Sequence, residues 1–206
     1  MIACNEVGIK RFVYASSSSV YGDHPILPKV EENTGNLLSP YAGTKAINEI
    51  YGKIFTKCYN MECIGLRYFN IFGPRQDPNG AYAAVIPKFI KWMRDGRQPT
   101  INGDGSFSRD FTYVDNAVAA NILALTTSEA SCFGEAFNIG AGGRTNLLEL
   151  IDAINASLGT EIKPIFGEKR AGDIPHSNAD ISKAVKMLGY DPKIAFEEGM
   201  RKLIQL

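Results

Sequence analysis

The sequence has no excess of charge of either sign: 22 lysines and arginines face 22 aspartates and glutamates. Without a basic surplus the chain lacks what binds phosphate backbones, so nucleic acid is not an expected partner, and any anionic ligand has to be met by a few placed cations. Long apolar runs are missing too. No stretch approaches the roughly 18 residues of a membrane span, and the opening MIACNEVGIKRF has no apolar core behind a basic start. The expectation is a cytoplasmic chain with no membrane partner. Cysteine and histidine are scarce: Cys4, Cys58, Cys63 and Cys132 show no C-x-x-C spacing, and His24 and His176 lie far from them and from each other in sequence. Reduced, structural cysteines are expected, with no metal and no disulfide framework.

What is present is a globular composition, 45% hydrophobic and 21% charged, with enough apolar surface for a core. Arg11 to Ala15 is a short β-branched and aromatic run ending in serines, which reads as a buried strand and its exit loop. Ser39-Pro40 supplies an N-cap and an N1 proline for a helix running to about Tyr59. Ile47, Ile50, Tyr51, Ile54, Phe55 and Cys58 give that helix an apolar face at helical spacing. ECIGLRYF, Glu62 to Phe69, is a second strand, closed by Asn70 and a Gly73-Pro74 turn. Strand, helix, strand is the βαβ unit of a parallel sheet. Beyond it the pattern predicts helices near Val85–Asp95, Asp115–Thr126 and Leu147–Leu158, a strand at Ala136–Ile139, and two short terminal helices. There is no internal repeat and no long linker.

Parallel α/β sheets bind ligands beyond the carboxyl ends of their strands, which is where Ser17 and Asn70 fall. Flexible-linker serines and a turn-forming asparagine are the plain alternatives. Tyr41 and Lys45 stand four apart at the start of a helix, on one face. A phenol ordinarily ionises near pH 10, so a tyrosine acting as a base at neutral pH needs positive charge beside it. Tyr-x-x-x-Lys alone is weak evidence, since a motif this short recurs by chance in roughly one chain in two.

Its company is more specific. YASSSSVYGD at 14 to 23, SPYAGTK at 39 to 45 and LRYFNIFGPRQ at 66 to 76, in that order, resemble the extended short-chain dehydrogenase/reductases. AAVIPKFI, INGDGSFSRDFTYVDN, FNIGAGGRTNLLEL and KRAGDIPHSNADISKAVKMLGY extend the resemblance over nearly the whole chain. It implies an α/β fold: the C-terminal part of a Rossmann-like doubly wound parallel sheet, plus a small α/β substrate-binding lobe. Residues 1–80 would be a partial NAD-binding domain and 81–206 mainly a nucleotide-sugar lobe, with the strand near 136–139 returning to the sheet.

By resemblance Ser17, Tyr41 and Lys45 are the catalytic triad, with Tyr41 the base. Tyr41, Lys45, Tyr68 and Phe69 contact NAD, the last two flanking the nicotinamide. Asn70, Arg109 and Arg170 meet the diphosphate, Asp173 the ribose hydroxyls, and Val85, Lys88 and Asn102 line the nucleotide pocket. Plain alternatives are surface solvation for the arginines and helix capping for Asp173. Family dehydratases carry an acidic pair where this chain has Ser18 and Ser19, so elimination lacks its acid and reversible oxidation at C4 is favoured. Those serines would hold the sugar and a 2-acetamido group, and Ser177, where glucose-restricted relatives place a tyrosine, leaves room for an N-acetyl group.

The match is closest to the UDP-N-acetylglucosamine and UDP-glucose 4-epimerases of the family, with a UDP-sugar substrate, NAD cofactor and a homodimer as the implied partners. Other family enzymes, a 4,6-dehydratase or a UDP-glucuronate decarboxylase or epimerase, and a non-catalytic UDP-sugar-binding remnant are the competing readings. The family's opening Gly-x-x-Gly-x-x-Gly loop and about four βα units are not found in these 206 residues, and Gly140, Gly142 and Gly143 read as a turn. This polypeptide alone is therefore expected to lack tight NAD binding and activity.

Overall fold

A computed structural model describes residues 1–80, 84–169 and 174–205. In chain order the helices are α1 (Ile2–Glu6), α2 (Pro40–Tyr59), α3 (Val85–Arg94), α4 (Val114–Thr126), α5 (Leu147–Leu158), α6 (Ser182–Leu188) and α7 (Phe196–Ile204). The strands are β1 (Arg11–Ser17), β2 (Glu62–Tyr68), β3 (Ile71–Phe72), β4 (Thr100–Asn102), β5 (Ser108–Arg109), β6 (Thr112–Tyr113), β7 (Ala136–Ile139), β8 (Thr145–Asn146), β9 (Ile165–Gly167) and β10 (His176–Ser177). No helix among the described residues is long and apolar enough to cross a membrane.

β1, β2 and β7 form a parallel sheet in that order, with Arg11 opposite Glu62 and Gly65 opposite Ala136. Five successive buried positions in β2 match a strand covered on both faces. On one face Tyr14, Phe55, Met61 and Cys63 pack under α2, and on the other Ile64, Leu66, Phe137 and Ile139 pack against Ala120 and Ala124 of α4 and Ala184 of α6. The remaining pairs, β3 with β6, β4 with β9, and β5 between β8 and β10, are short. They surround the largest core cluster, in which Ile86, Phe89 and Met93 of α3 meet Leu150, Ile151 and Ile154 of α5 and Met200 and Ile204 of α7.

α2 begins where expected: Ser39 Oγ accepts the Ala42 amide at 3.1 Å and Pro40 occupies the first turn. Its orientation differs from the apolar face read in the sequence. Ile47, Ile50, Tyr51 and Ile54 are exposed, and the face against the sheet is Ala42, Glu49, Gly52 and Phe55. The cause is close approach. A Cβ on Gly52 would come within 2.6 Å of the Tyr14 hydroxyl, so the side that can sit on the strand is the one with small residues. Phe55 alone of the expected apolar face packs inward.

Candidate active site

The carboxyl ends of β1 and β2 and the first turns of α2 bring several of the expected residues together. Ser17 ends β1 in extended conformation and caps the 3₁₀ turn Ser18–Tyr21, its Oγ accepting the Ser19 amide at 3.2 Å. Ser18 and Ser19 sit in that turn, and the Ser19 hydroxyl oxygen is buried with no hydrogen-bond partner among the described residues. A buried hydroxyl left unmatched is costly, and a polar ligand would relieve it. Across from the turn, Tyr41 is 55% exposed at the start of α2. Lys45 Nζ lies 5.5 Å from the Tyr41 ring centroid and donates to the Ala15 carbonyl at 3.0 Å. The lysine thus ties the helix to the strand two residues before Ser17 and keeps its charge beside the phenol.

Asn70 follows β2 with a left-handed φ of 36°, a conformation asparagine tolerates better than most residues. Its Nδ2 donates to the Asp110 carbonyl at 3.4 Å, and its own carbonyl accepts the Thr112 amide at 3.3 Å. Asn70 also lines a pocket of about 370 Å³ together with Val85, Lys88, Asn102 and Arg109. Phe72, Phe89, Trp92, Phe107 and Phe111 complete its aromatic wall. The Lys88 ammonium lies 5.2 Å from the Trp92 ring centroid and that of Lys169 5.0 Å from Phe107. Arg109 Nη1 donates to the carbonyls of Ser108 and Pro175 at 2.9 and 3.1 Å. Ser177 is its cross-strand neighbour, opposite Arg109 in the β5–β10 pair. Arg170 and Asp173 lie outside the described residues.

Two expected cofactor contacts are placed differently. Phe69 has 0% exposure, packed with Val20, Tyr21 and Ala179, so its ring offers no surface to a nicotinamide and forms part of the floor instead. Tyr68 turns its ring to the sheet face covered by α4, where its hydroxyl accepts Asn121 Nδ2 at 2.7 Å and burial raises its pKa. The strand alternates faces, so Arg67 points to α2 and Tyr68 away from it. Of the residues expected to touch NAD, Tyr41 is exposed and Lys45 lies beside it at the start of α2.

Three groups were not singled out in the sequence. Asp110, 0% exposed, accepts the amides of Ala141, Gly142 and Ala179 at 2.9, 3.1 and 3.2 Å and the Thr112 hydroxyl at 3.3 Å. Burial raises its pKa against those hydrogen bonds. It fixes the loops on either side of Arg109. Glu49 and Arg67 form a buried pair beneath Ser17, described below. His24 and His176, distant in sequence, line one pocket of about 470 Å³. His176 Nδ1 is 2.9 Å from Ser108 Oγ, which also accepts Arg144 Nε at 2.6 Å. Desolvation, followed by the charges of Arg144 and Arg109, lowers the His176 pKa.

Residues 1–140 match the model of the NAD dependent epimerase/dehydratase family. The chain belongs to this family. It is 36% identical over 204 residues to a UDP-glucose 4-epimerase of Mycolicibacterium smegmatis, covering 98% of this chain and 64% of that protein. Among solved structures it resembles a UDP-N-acetylglucosamine 4-epimerase from Methanobrevibacter ruminantium, in complex with UDP-N-acetylmuramic acid, at 40% identity and a TM-score of 0.93. That match covers 99% of this chain and 64% of the other. A UDP-glucuronic acid 4-epimerase from Bacillus cereus, in complex with UDP-glucuronic acid and NAD, aligns at 31% identity with a TM-score of 0.89, covering 99% and 63%. The chain thus spans less than two thirds of the length of these family members. The epimerase matches also confirm the α/β, Rossmann-like class of the sheet.

Proposed function

We propose that this chain carries the sugar-nucleotide side of a reversible C4 epimerisation of a UDP-sugar with NAD as cofactor, UDP-N-acetylglucosamine and UDP-N-acetylgalactosamine being the first substrates to try. The observation that carries the reading is the 370 Å³ pocket, in which Asn70, Val85, Lys88, Asn102 and Arg109 converge from four separate segments. Aromatic walls with cations at their edges suit a flat base and a diphosphate. A small residue at Ser177, beside Arg109, supports the N-acetylated substrate. In this reading residues 1–80 with the strand at 136–139 form the cofactor side, and most of 81–206 the nucleotide-sugar lobe.

The reacting groups follow from their placement. Tyr41, exposed at the start of α2 with Lys45 beside it, takes the proton from O4 of the sugar while Ser17 holds that oxygen. Lys45 sets its positive charge beside the ring of Tyr41 and keeps the helix seated on Ala15. Ser19 offers its buried, unmatched hydroxyl to the sugar. NAD, when bound, would supply the hydride acceptor and donor at C4, allowing inversion there through a 4-keto sugar. Tyr41 then returns the proton. A homodimer through the exposed face of α2 belongs to the same proposal.

The test is separation of sugar products after incubating the chain with UDP-N-acetylglucosamine and NAD, alone and joined to a family glycine-rich βα segment. The joined protein should form UDP-N-acetylgalactosamine, and Tyr41→Phe should lower the rate by at least about 10²-fold, the scale of a lost general base. The 206 residues alone should show no turnover, since the glycine-rich loop is not among them. A deoxy-keto or pentose product from the joined protein would overturn the epimerase reading, and turnover by the chain alone would overturn the last expectation.

A further inference from the structure

A charged pair lies under the proposed reacting groups. Arg67 Nε and Nη2 donate to the two carboxylate oxygens of Glu49, each at 2.8 Å, with side chains 7% and 12% exposed. Glu49 is one helical turn beyond Lys45, itself one turn beyond Tyr41, and Arg67 stands three residues before Asn70. Ser16, the neighbour of Ser17, donates its hydroxyl to Glu49 Oε1 at 2.5 Å. On the other side Arg67 Nη1 donates to the Tyr21 hydroxyl and to the Glu31 carbonyl, both at 3.0 Å. Tyr21 in turn donates its hydroxyl to Asn138 Oδ1 at 2.6 Å, on β7, and burial pushes its pKa up to about 12. One hydrogen-bonded chain therefore crosses the sheet from β1 to β7 below the site.

A buried ion pair is a poor way to gain stability. Its desolvation cost roughly cancels its attraction, and apolar residues of similar volume often serve as well or better. What such a pair does supply is geometry: a bidentate guanidinium–carboxylate contact fixes both groups in distance and in plane. Here the carboxylate is fixed to α2, its hydroxyl partner to β1 and the guanidinium to β2. These elements carry Tyr41 and Lys45, end in Ser17, and lead into Asn70.

We propose that Glu49 and Arg67 are a positioning pair, which sets Ser17 and Asn70 against Tyr41 and Lys45 by locking the ends of β1 and β2 to α2. The inference rests on the proposed roles of those residues, but its test needs no turnover, so an absence of epimerisation leaves it readable. The chain is labelled with ¹⁵N at lysine Nζ and ¹³C in tyrosine rings. In the wild type the Lys45 ammonium, held on Ala15, and the Tyr41 ring, near that charge, are expected to give signals distinct from those of free side chains. Glu49→Asp keeps the charge but shortens its reach, and Glu49→Gln with Arg67→Gln removes both charges together. Both are expected to lose the Lys45 signal and to move the Tyr41 resonances toward those of an exposed tyrosine. Ile154→Val, in the other core cluster, lowers the melting temperature and should leave both signals in place. Ser16→Ala removes only the hydroxyl contact to Glu49 and reads the same signals if the charge variants do not fold. Wild-type Lys45 and Tyr41 spectra in the folded variants, with only the melting temperature lowered, would overturn the proposal.

Discussion

Asp110 shows how much one side chain can organise. Its carboxylate is wholly buried, and its partners are the Thr112 hydroxyl and backbone amides from two loops far apart in sequence, at 141–142 and at 179. Removing it leaves the buried Ala179 amide without its acceptor, at a cost of about 1–3 kcal/mol. Asp110→Ala should therefore destabilise the chain by about 1–3 kcal/mol, read as a fall in the urea midpoint, and weaken the UDP binding proposed for Arg109 without touching the ligand. His176 makes a pH prediction. Its folded pKa is lowered, so the unfolded chain binds the extra proton, and stability rises with pH. That contribution is complete above the ordinary imidazole value, about 6.5, and is lost as the pH falls toward the folded value. The melting temperature of His176→Gln should change less between pH 7 and pH 5 than that of the wild type; equal slopes would show that the imidazole contributes nothing. At this scale the sequence was legible where the placement is local: Tyr41 beside Lys45, the serine run at a strand exit, Asn70 just past a strand end. Asp110 and Glu49 were not, because a carboxylate in a loop or helix reads as a solvated surface group. One signal was available. Arg67 lies in the middle of the apolar run ECIGLRYF, and a charge in a buried strand needs a buried partner.

At the scale of elements, α2 separates what pattern can and cannot tell. Its start, end and helical period were readable, since the Ser39 cap and Pro40 are local chemistry. Which side faces the sheet was not, because an apolar stripe at helical spacing serves a core or a partner equally well. The deciding residues are small. Tyr14 of β1 occupies the space where Cβ atoms on both Gly52 of α2 and Gly65 of β2 would sit, at 2.6 and 2.7 Å from its nearest atoms. An added methyl at position 52 meets a ring that is itself held between helix and strand. Alanine gains about 1 kcal/mol in helix propensity over glycine, and overpacking costs about 1–3 kcal/mol. The second effect should win, so Gly52→Ala is expected to lower the melting temperature. Gly43→Ala, on the same helix with open space around its Cβ position, should raise it. An increase in both would mean that Tyr14 moves aside without cost.

The whole molecule leaves apolar surface on both sides of its parallel sheet. Ile47, Ile50, Tyr51 and Ile54 form one exposed stripe on α2, and Val118, Ile122 and Leu125 another on α4. Among the described residues β1 pairs only with β2, which leaves its other edge open. Stripes of this kind and open strand edges mark surfaces that another chain covers. They are not equivalent, however. The α2 stripe carries an aromatic ring and stands on the helix that bears Tyr41 and Lys45, so a second copy packed there would also hold the proposed base in place. The prediction is that the chain runs in solution at twice its monomer mass by light scattering. Ile50→Glu with Ile54→Lys replaces the centre of the stripe by an ion pair at helical spacing, which preserves the helix and removes the apolar contact. This double variant should run as a monomer, and Ile122→Lys on α4 should not change the mass. If the α4 substitution splits the dimer and the α2 pair does not, the interface lies on the opposite face of the sheet, and association has no direct hold on the residues proposed to react.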